Sequence, residues 1–323
     1  MALRLAFFGT PDFAVPSLLR LQESSHAVVA VITQPDRPRG RGHKLTPSPV
    51  KARAQATGVP VFQPDRLKDE AFLSAFADLR VDVAIVAAYG KILPKALLDL
   101  PRLGMINVHA SLLPRWRGAA PIHRAVLAGD TKTGVTIMRV VPALDAGPML
   151  ATVELDIGPN ETTADLEPRV ADAGARLLVD VVNRLETGPV EETPQDESRV
   201  TYAARLERAE SRIDWNQPAA AIHNQIRGLQ PWPLAAAMLQ GRRVLLTRSE
   251  LFEVQSSKFE VSPSVPPGTI VEVDANALVV SCAPGLLRIV SIQPEGRAAM
   301  PVRDFLNGRH VTAGEMLEPL PVA

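Results

Sequence analysis

Met105-Ile106-Asn107-Val108-His109-Ala110-Ser111-Leu112-Leu113-Pro114 is the stretch on which the reading of the fold turns. Its apolar start, Met105–Val108, predicts a buried strand. Alternation along a strand sends Asn107 and His109 from the same face. Two polar side chains then converge at the strand's C-terminal edge, where open α/β sheets gather their ligands. Working outward, Leu3–Phe8, Ala27–Thr33 and Val81–Ala88 are further apolar runs predicted as strands. Helical periodicity from Asp12 to Leu21, with Asp12 as its cap, and over Val50–Thr57, ended by Gly58, fills intervals between them. Strands alternating with helices predict an α/β class with a mostly parallel sheet covered on both faces. Thr133–Val141 and Met149–Leu155 are expected as a hairpin at one edge of that sheet. Thr163–Leu185 is expected as a long amphipathic helix capped by Thr162 or Thr163, with Glu161 and Asp165 near its positive end.

The chain is long enough for two domains, and its composition changes along it. Glu186–Arg199, with Gly188, Pro189, Pro194 and several acids, has the composition of a linker. Beyond it come a helix at Ala219–Gly228 and short β-rich runs at Ala235–Leu239, Val244–Thr247, Thr269–Val273, Ala277–Ser281 and Leu286–Gln293. Short strands with frequent turns predict a small barrel or sandwich. Gln255–Gly268, rich in Ser and Pro, is expected as an exposed loop. The expected division is therefore a catalytic domain over residues 1–188, a linker over 189–204 and a second domain over 205–323.

Formal charge sums to zero, so contact with nucleic acid must come from local patches. One cysteine, Cys282, excludes an internal disulfide, and six scattered histidines lack a metal-ligand spacing, so no metal is expected. Met1–Phe8 is too short for an export signal, and no apolar run reaches the roughly 18 residues of a membrane span. A cytoplasmic monomer is the expectation.

Asn107, His109 and Asp145, the last in Leu144-Asp145-Ala146-Gly147-Pro148, form the candidate catalytic set. An amide, an imidazole and a carboxylate suit acyl transfer through a tetrahedral intermediate. The site must donate hydrogen bonds to an oxygen that becomes negative, and must move a proton from the attacking nitrogen to the leaving one. Histidine, with a reference pKa of about 6.5, serves as cationic donor or proton carrier, and a carboxylate beside it orients the ring. None of the three is a strong nucleophile, which points to direct transfer without a covalent enzyme intermediate.

These residues carry a resemblance. Asn107-Val108-His109, the Ser111–Pro114 turn, Arg115-Trp116-Arg117-Gly118-Ala119-Ala120-Pro121-Ile122 and Asp145 resemble the folate-dependent formyltransferase family in order and spacing. Gly9-Thr10-Pro11-Asp12-Phe13 and Thr33-Gln34-Pro35-Asp36-Arg37-Pro38 extend the likeness toward members that act on tRNA. The resemblance implies a Rossmann-like N-terminal domain and an OB-like C-terminal barrel. It implies 10-formyltetrahydrofolate as donor and the α-amino group of methionyl initiator tRNA as acceptor. It places the folate on Ser111, Leu112, Leu113 and Pro114, and on Tyr89, Gly90 and Ile92. The alternative is a formyltransferase acting on a small amine, a purine precursor or an amino sugar nucleotide. A nicotinamide cofactor is disfavoured, because Gly9-Thr10-Pro11-Asp12 lacks the Gly-x-Gly-x-x-Gly spacing.

The loop Pro35–Arg53 holds Arg37, Arg39, Arg41, His43, Lys44, Lys51 and Arg53 against a single acid, Asp36. Clustered arginine suits phosphates and base edges. The resemblance makes it the loop that meets the acceptor end of the tRNA, with Arg37, Arg39, Arg41, His43 and Lys44 as its tRNA-binding residues. From Arg205 onward basic and acidic residues balance, so the second domain is not a basic module. Arg242, Arg243, Arg248, Arg297, Arg303 and Arg309 are its candidates for a shared basic face. Trp215, Trp232 and Pro231–Pro233 are expected to pack against the domain interface rather than stack on bases.

Overall fold

The computed structural model describes residues 2–39, 44–251 and 265–321, with the backbone alone at Arg39 and Lys44. The chain forms two compact units. One comprises Met1–Pro121, Thr133–Asp156 and Glu167–Ala203, the other Ile122–Lys132, Ile157–Leu166 and Ala204–Ala323.

The first unit is built on strands β1 (Arg4–Gly9), β2 (Ala27–Ile32), β3 (Val61–Phe62), β4 (Val83–Ala87), β5 (Met105–His109), β6 (Lys132–Arg139) and β7 (Met149–Asp156). Their order in the sheet is β7-β6-β5-β4-β1-β2-β3. The pairs from β5 through β3 are parallel, and β6 runs antiparallel to β5. The expected Rossmann-like parallel sheet and its edge pair are both present. Leu5–Phe8 are wholly buried, which explains why β1 reads as a continuous apolar run rather than an alternating one. The chain leaves β1 on one side toward β2 and β3 and returns on the other to β4 and β5. That reversal puts a topological switch point between the ends of β1 and β4, where Gly9 pairs with Ala87. A Cβ on Gly9 would lie 2.7 Å from the Phe7 ring and 2.9 Å from the Ala14 methyl, so only glycine permits this close turn.

The first and third helices of this unit differ from the sequence reading. The residues after β1 first form a 3₁₀ turn, Asp12–Ala14, and only then helix α1 (Val15–Glu23), and neither start has a side-chain cap. Pro16 in the first turn offers no N–H to Asp12, and the Pro11 carbonyl accepts from Ala14 N instead. Helix α2 (Pro49–Ala56) was expected, but helix α3 (Glu70–Asp78) was not. Asp69 caps α3 by accepting from Phe72 N, and Phe72 and Phe76 lie on one face, their rings tilted by 44° at 6.0 Å, in a core cluster with Phe8 and Ile32 of the sheet. Burying each phenyl group contributes roughly 1.5–3 kcal/mol.

Residues 189–203, linker-like in composition, are hydrogen-bonded into the first unit along their length. Met149 and Thr193 exchange backbone bonds, Trp116 N donates to Thr201 Oγ1, and Tyr202–Ala203 pairs in parallel with Arg117–Gly118.

The second unit carries strands β8 (Ala235–Leu239), β9 (Arg242–Leu251), β10 (Ile270–Val273), β11 (Leu278–Ser281), β12 (Leu286–Pro294), β13 (Met300–Pro301) and β14 (Leu317–Pro319). They form an antiparallel sheet in the order β10-β11-β12-β9-β8-β14, with β13 on β12. Its two edges meet: Leu317 N donates to Gly268 O, and Ile270 N donates to Glu315 O. The sheet is therefore curled into the expected OB-like barrel. Its core includes Trp215, Ile222, Leu246, Ile289 and Leu317. Trp215 belongs to that core, while Trp232 is 52% exposed. The segment before the Thr163–Thr187 helix is closed by a capping box: Thr162 N donates to Asp165 Oδ2, and Asp165 N donates to Thr162 Oγ1.

Candidate active site

His109 ends β5, opposite Thr136 on β6, and Asn107 lies two residues earlier on the same face, half-buried between Val86 and Met138. The His109 ring is 5% exposed. Its Nε2 lies 2.9 Å from the Trp116 carbonyl oxygen. A carbonyl only accepts, so Nε2 carries a proton. Its Nδ1 lies 3.7 Å from Asp145 Oδ2. The Trp116 carbonyl is within hydrogen-bond distance of one ring nitrogen, and the Asp145 carboxylate makes a longer contact with the other. The imidazole and the carboxylate that the sequence separates by 36 positions are thus brought together (145 − 109).

Both partners of the ring sit on unusual backbone. Trp116 has φ +65° and Asp145 φ +45°, the left-handed region that costs a side-chain-bearing residue roughly 1–2 kcal/mol. Asp145 Oδ2 also accepts from Gly118 N at 2.9 Å, and the Asp145 carbonyl accepts from Gln195 Nε2 at 2.8 Å. A Cβ on Gly147 would fall 1.9 Å from the Arg139 carbonyl oxygen, so the Asp145 loop lies hard against the end of β6.

The turn after β5 is held by the sheet. Ser111 Oγ donates to the Arg115 carbonyl at 2.6 Å. Thr136 Oγ1 donates to Ser111 O and accepts from Leu113 N. Ser111, Leu113 and Pro114 are buried, and Leu112 is half-buried. Of the four, Leu112 alone offers a side chain. It lies over Gly134, where a Cβ would come 2.5 Å from its Cδ2. Thr136 and Gly134 went unnoticed in the sequence, since nothing local marks a strand threonine or glycine as the support of a turn some 25 residues away.

At the switch point the Tyr89 carbonyl accepts from Gln34 Nε2 at 2.7 Å and Thr10 Oγ1 at 3.4 Å. Ala88 and Gly90 on either side have φ +46° and +79° and are exposed. The Tyr89 ring itself belongs to the core, edge-on to Phe8 at 5.4 Å, and burial pushes its hydroxyl up to about 12. Tyr89 therefore offers only main chain to a ligand. Ile92, read as a pocket residue, is 89% exposed.

The basic loop begins as a short antiparallel ribbon, Arg37–Arg39 with Lys44–Thr46. Arg37 is exposed, and its Nη2 donates to Gln34 Oε1 at 3.4 Å. Arg41 and His43 lie outside the described residues. Lys51 does not belong with the free cations. Its Nζ is bonded to Asp36 Oδ2 at 2.5 Å and Gln63 Oε1 at 2.7 Å, and the bonds that Asp36 accepts from Lys51 and from Gln63 Nε2 hold its carboxyl below the usual range. In the second unit Arg248 pairs with Asp165, Arg303 with Asp304, and Arg309 stacks on Phe305. Arg242 and Arg243 are neighbours on β9 and leave opposite faces. No group of three or more metal-ligating side chains exists among the described residues, and no helix among them is long and apolar enough to cross a membrane.

Compared with known proteins, residues 3–182 match the formyl transferase family and residues 205–310 match the formyl transferase C-terminal domain. Methionyl-tRNA formyltransferase from Methylococcus capsulatus is 46% identical over 98% of this chain and 99% of its own length. The protein of the same name from Roseobacter denitrificans is 48% identical, again over 98% and 99%. Among solved structures, HypX from Aquifex aeolicus in complex with tetrahydrofolic acid superposes with a TM-score of 0.63 at 15% identity, over 98% of this chain. The chain spans 51% of the length of HypX, and that likeness concerns the fold alone.

Proposed function

The chain belongs to the formyl transferase family, and from that premise we propose that it transfers a formyl group from 10-formyltetrahydrofolate to the α-amino group of methionyl initiator tRNA, for translation initiation. The observation that carries the reading is the His109 ring set between the Trp116 carbonyl and the Asp145 carboxylate at the end of β5, one turn of alternation from Asn107. The donor supplies a formyl carbon bound to nitrogen. Asn107 donates to the formyl oxygen as charge gathers on it, and His109 joins it by turning its Nε2 proton from the Trp116 carbonyl to that oxygen. Asp145 orients the ring and accepts the proton of the attacking amine through water, and a proton returns to the donor's nitrogen as its bond to the formyl carbon breaks. Direct transfer needs no nucleophilic side chain.

The residues suit the donor's planar, hydrogen-bonding ring. Exposed main chain at Ala88 and Gly90 and the half-buried Leu112 side chain offer polar and apolar contact at the sheet edge. Ser111, Leu113, Pro114 and Tyr89 would serve through backbone or by support. Arg37, Arg39, Arg41, His43 and Lys44 would meet the tRNA acceptor end. The functional division is a catalytic part over 1–188, a connecting strap over 189–204 and a tRNA-binding part over 205–323.

The test is incubation with 10-formyltetrahydrofolate and charged initiator tRNA, beside charged elongator tRNA and small amines, followed by mass analysis of the acceptor. Formylmethionine released only from the initiator is expected. Formylation of a small amine with no transfer to tRNA would overturn the reading.

A further inference from the structure

Asp145 stands on a loop with little apolar anchorage. Its neighbour Leu144 is 61% exposed, and Asp145 itself has φ +45°. The loop is held by polar bonds, and Gln195 supplies two of them. Its Nε2 donates to the Asp145 carbonyl at 2.8 Å and to the Gly147 carbonyl at 2.8 Å. Its Oε1 accepts from Arg117 Nε at 2.9 Å. The amide orientation is fixed by chemistry, since a guanidinium can only donate and a carbonyl can only accept. Arg117 is 3% exposed and is itself fixed by Glu197, at 2.7 and 3.3 Å.

Arg117 lies between the two residues that support the site from the other side. The Trp116 carbonyl accepts from His109 Nε2, and Gly118 N donates to Asp145 Oδ2. Backbone 116–118 therefore sets both the ring and the carboxylate. The Arg117 side chain, through Gln195, ties that backbone to the loop that carries the carboxylate.

We propose that Gln195 is a positioning residue for formyl transfer: it locks the left-handed Asp145 loop to the Arg117 backbone and so sets Asp145 against His109. This rests on the reading of His109 and Asp145 as catalytic. The role requires two donors on one side and one acceptor on the other. Gln195→Glu keeps the size and the Arg117 bond but turns oxygen lone pairs on two carbonyl oxygens. Gln195→Ala removes all three bonds.

The experiment measures steady-state transfer with 10-formyltetrahydrofolate and charged initiator tRNA for both variants and for Asp145→Ala. Misplacement of a catalytic group by an ångström costs up to about 100-fold, so kcat is expected to fall about tenfold or more in both Gln195 variants. KM for either substrate should change by less than about threefold, since binding is untouched. The pH profile of kcat should be displaced, and the melting temperature should hold within a few degrees. Wild-type kcat in Gln195→Glu, or a raised KM at unchanged kcat, overturns the positioning role. Wild-type kcat in Asp145→Ala removes the catalytic reading beneath it, and that outcome is told apart by the third variant alone.

Discussion

Two imidazoles are buried alike in this molecule, His109 at 5% and His223 at 3% exposure, yet the chemistry around them differs. Each donates through Nε2 to a backbone carbonyl, His109 to Trp116 at 2.9 Å and His223 to Pro159 at 2.8 Å. The second nitrogen separates them. His223 Nδ1 lies 2.9 Å from the Ser249 hydroxyl, which donates to it, and burial above all pushes the His223 pKa down. That ring is a neutral strut in the second unit. His109 Nδ1 instead faces a carboxylate, and both of its partners stand on left-handed backbone. Burial and a carbonyl anchor are thus common to a structural and a candidate catalytic histidine. A charge partner on strained main chain is what marks the second.

The largest expected effect is on His109. His109→Ala should lower kcat for formyl transfer on the order of 10²–10⁴-fold with KM little changed, read in steady-state kinetics. An active variant would erase the distinction between the two rings. His223→Ala should do the opposite. It strands the Pro159 carbonyl and the Ser249 hydroxyl, so chemical denaturation should show a loss of about 1–3 kcal/mol, with kcat within about twofold of wild type. A collapse of kcat without loss of stability would make His223 functional instead. The smallest effect concerns pH. Folded His223 takes up a proton less readily than the unfolded chain, and the half-buried His123, beside Arg124, shares that direction. Between neutral forms at high pH there is no penalty. As pH falls through about 6.5 the unfolded chain protonates first, and the folded state loses relative stability until its own lower pKa is passed. The urea midpoint should therefore drop from about pH 7.5 to 5, and less steeply in His223→Gln. Equal slopes would mean that His223 is not held neutral.

Much of this was legible along the chain, for identifiable reasons. The buried strands announce themselves because both of their faces are covered, as at Leu5–Phe8 and Val83–Ile85. Asn107 and His109 could be paired by alternation, and β8 and the Ala219–Gly228 helix have the expected bounds. Helix α3 was missed although Asp69 and the Phe72–Phe76 spacing are a start signal and a face. The supports of the site were not legible at all. Thr136, Gly134 and Gln195 act 22 to 50 positions away from what they hold, and each is an ordinary strand or surface residue until the chain folds. That the Tyr89 ring turns into the core while Ile92 faces outward was not legible either, because a motif gives the residues and not which way the side chains turn.

The bond between Leu317 N and Gly268 O has a consequence for the far end of the chain. It sets the last described strand against the segment leading into β10, so among the described residues these two margins of the curled sheet pair with each other rather than offering their amides to another molecule. Trimming the chain before Leu317 would leave two raw margins at once, and self-association rather than simple loss of a tail is what such a truncation invites.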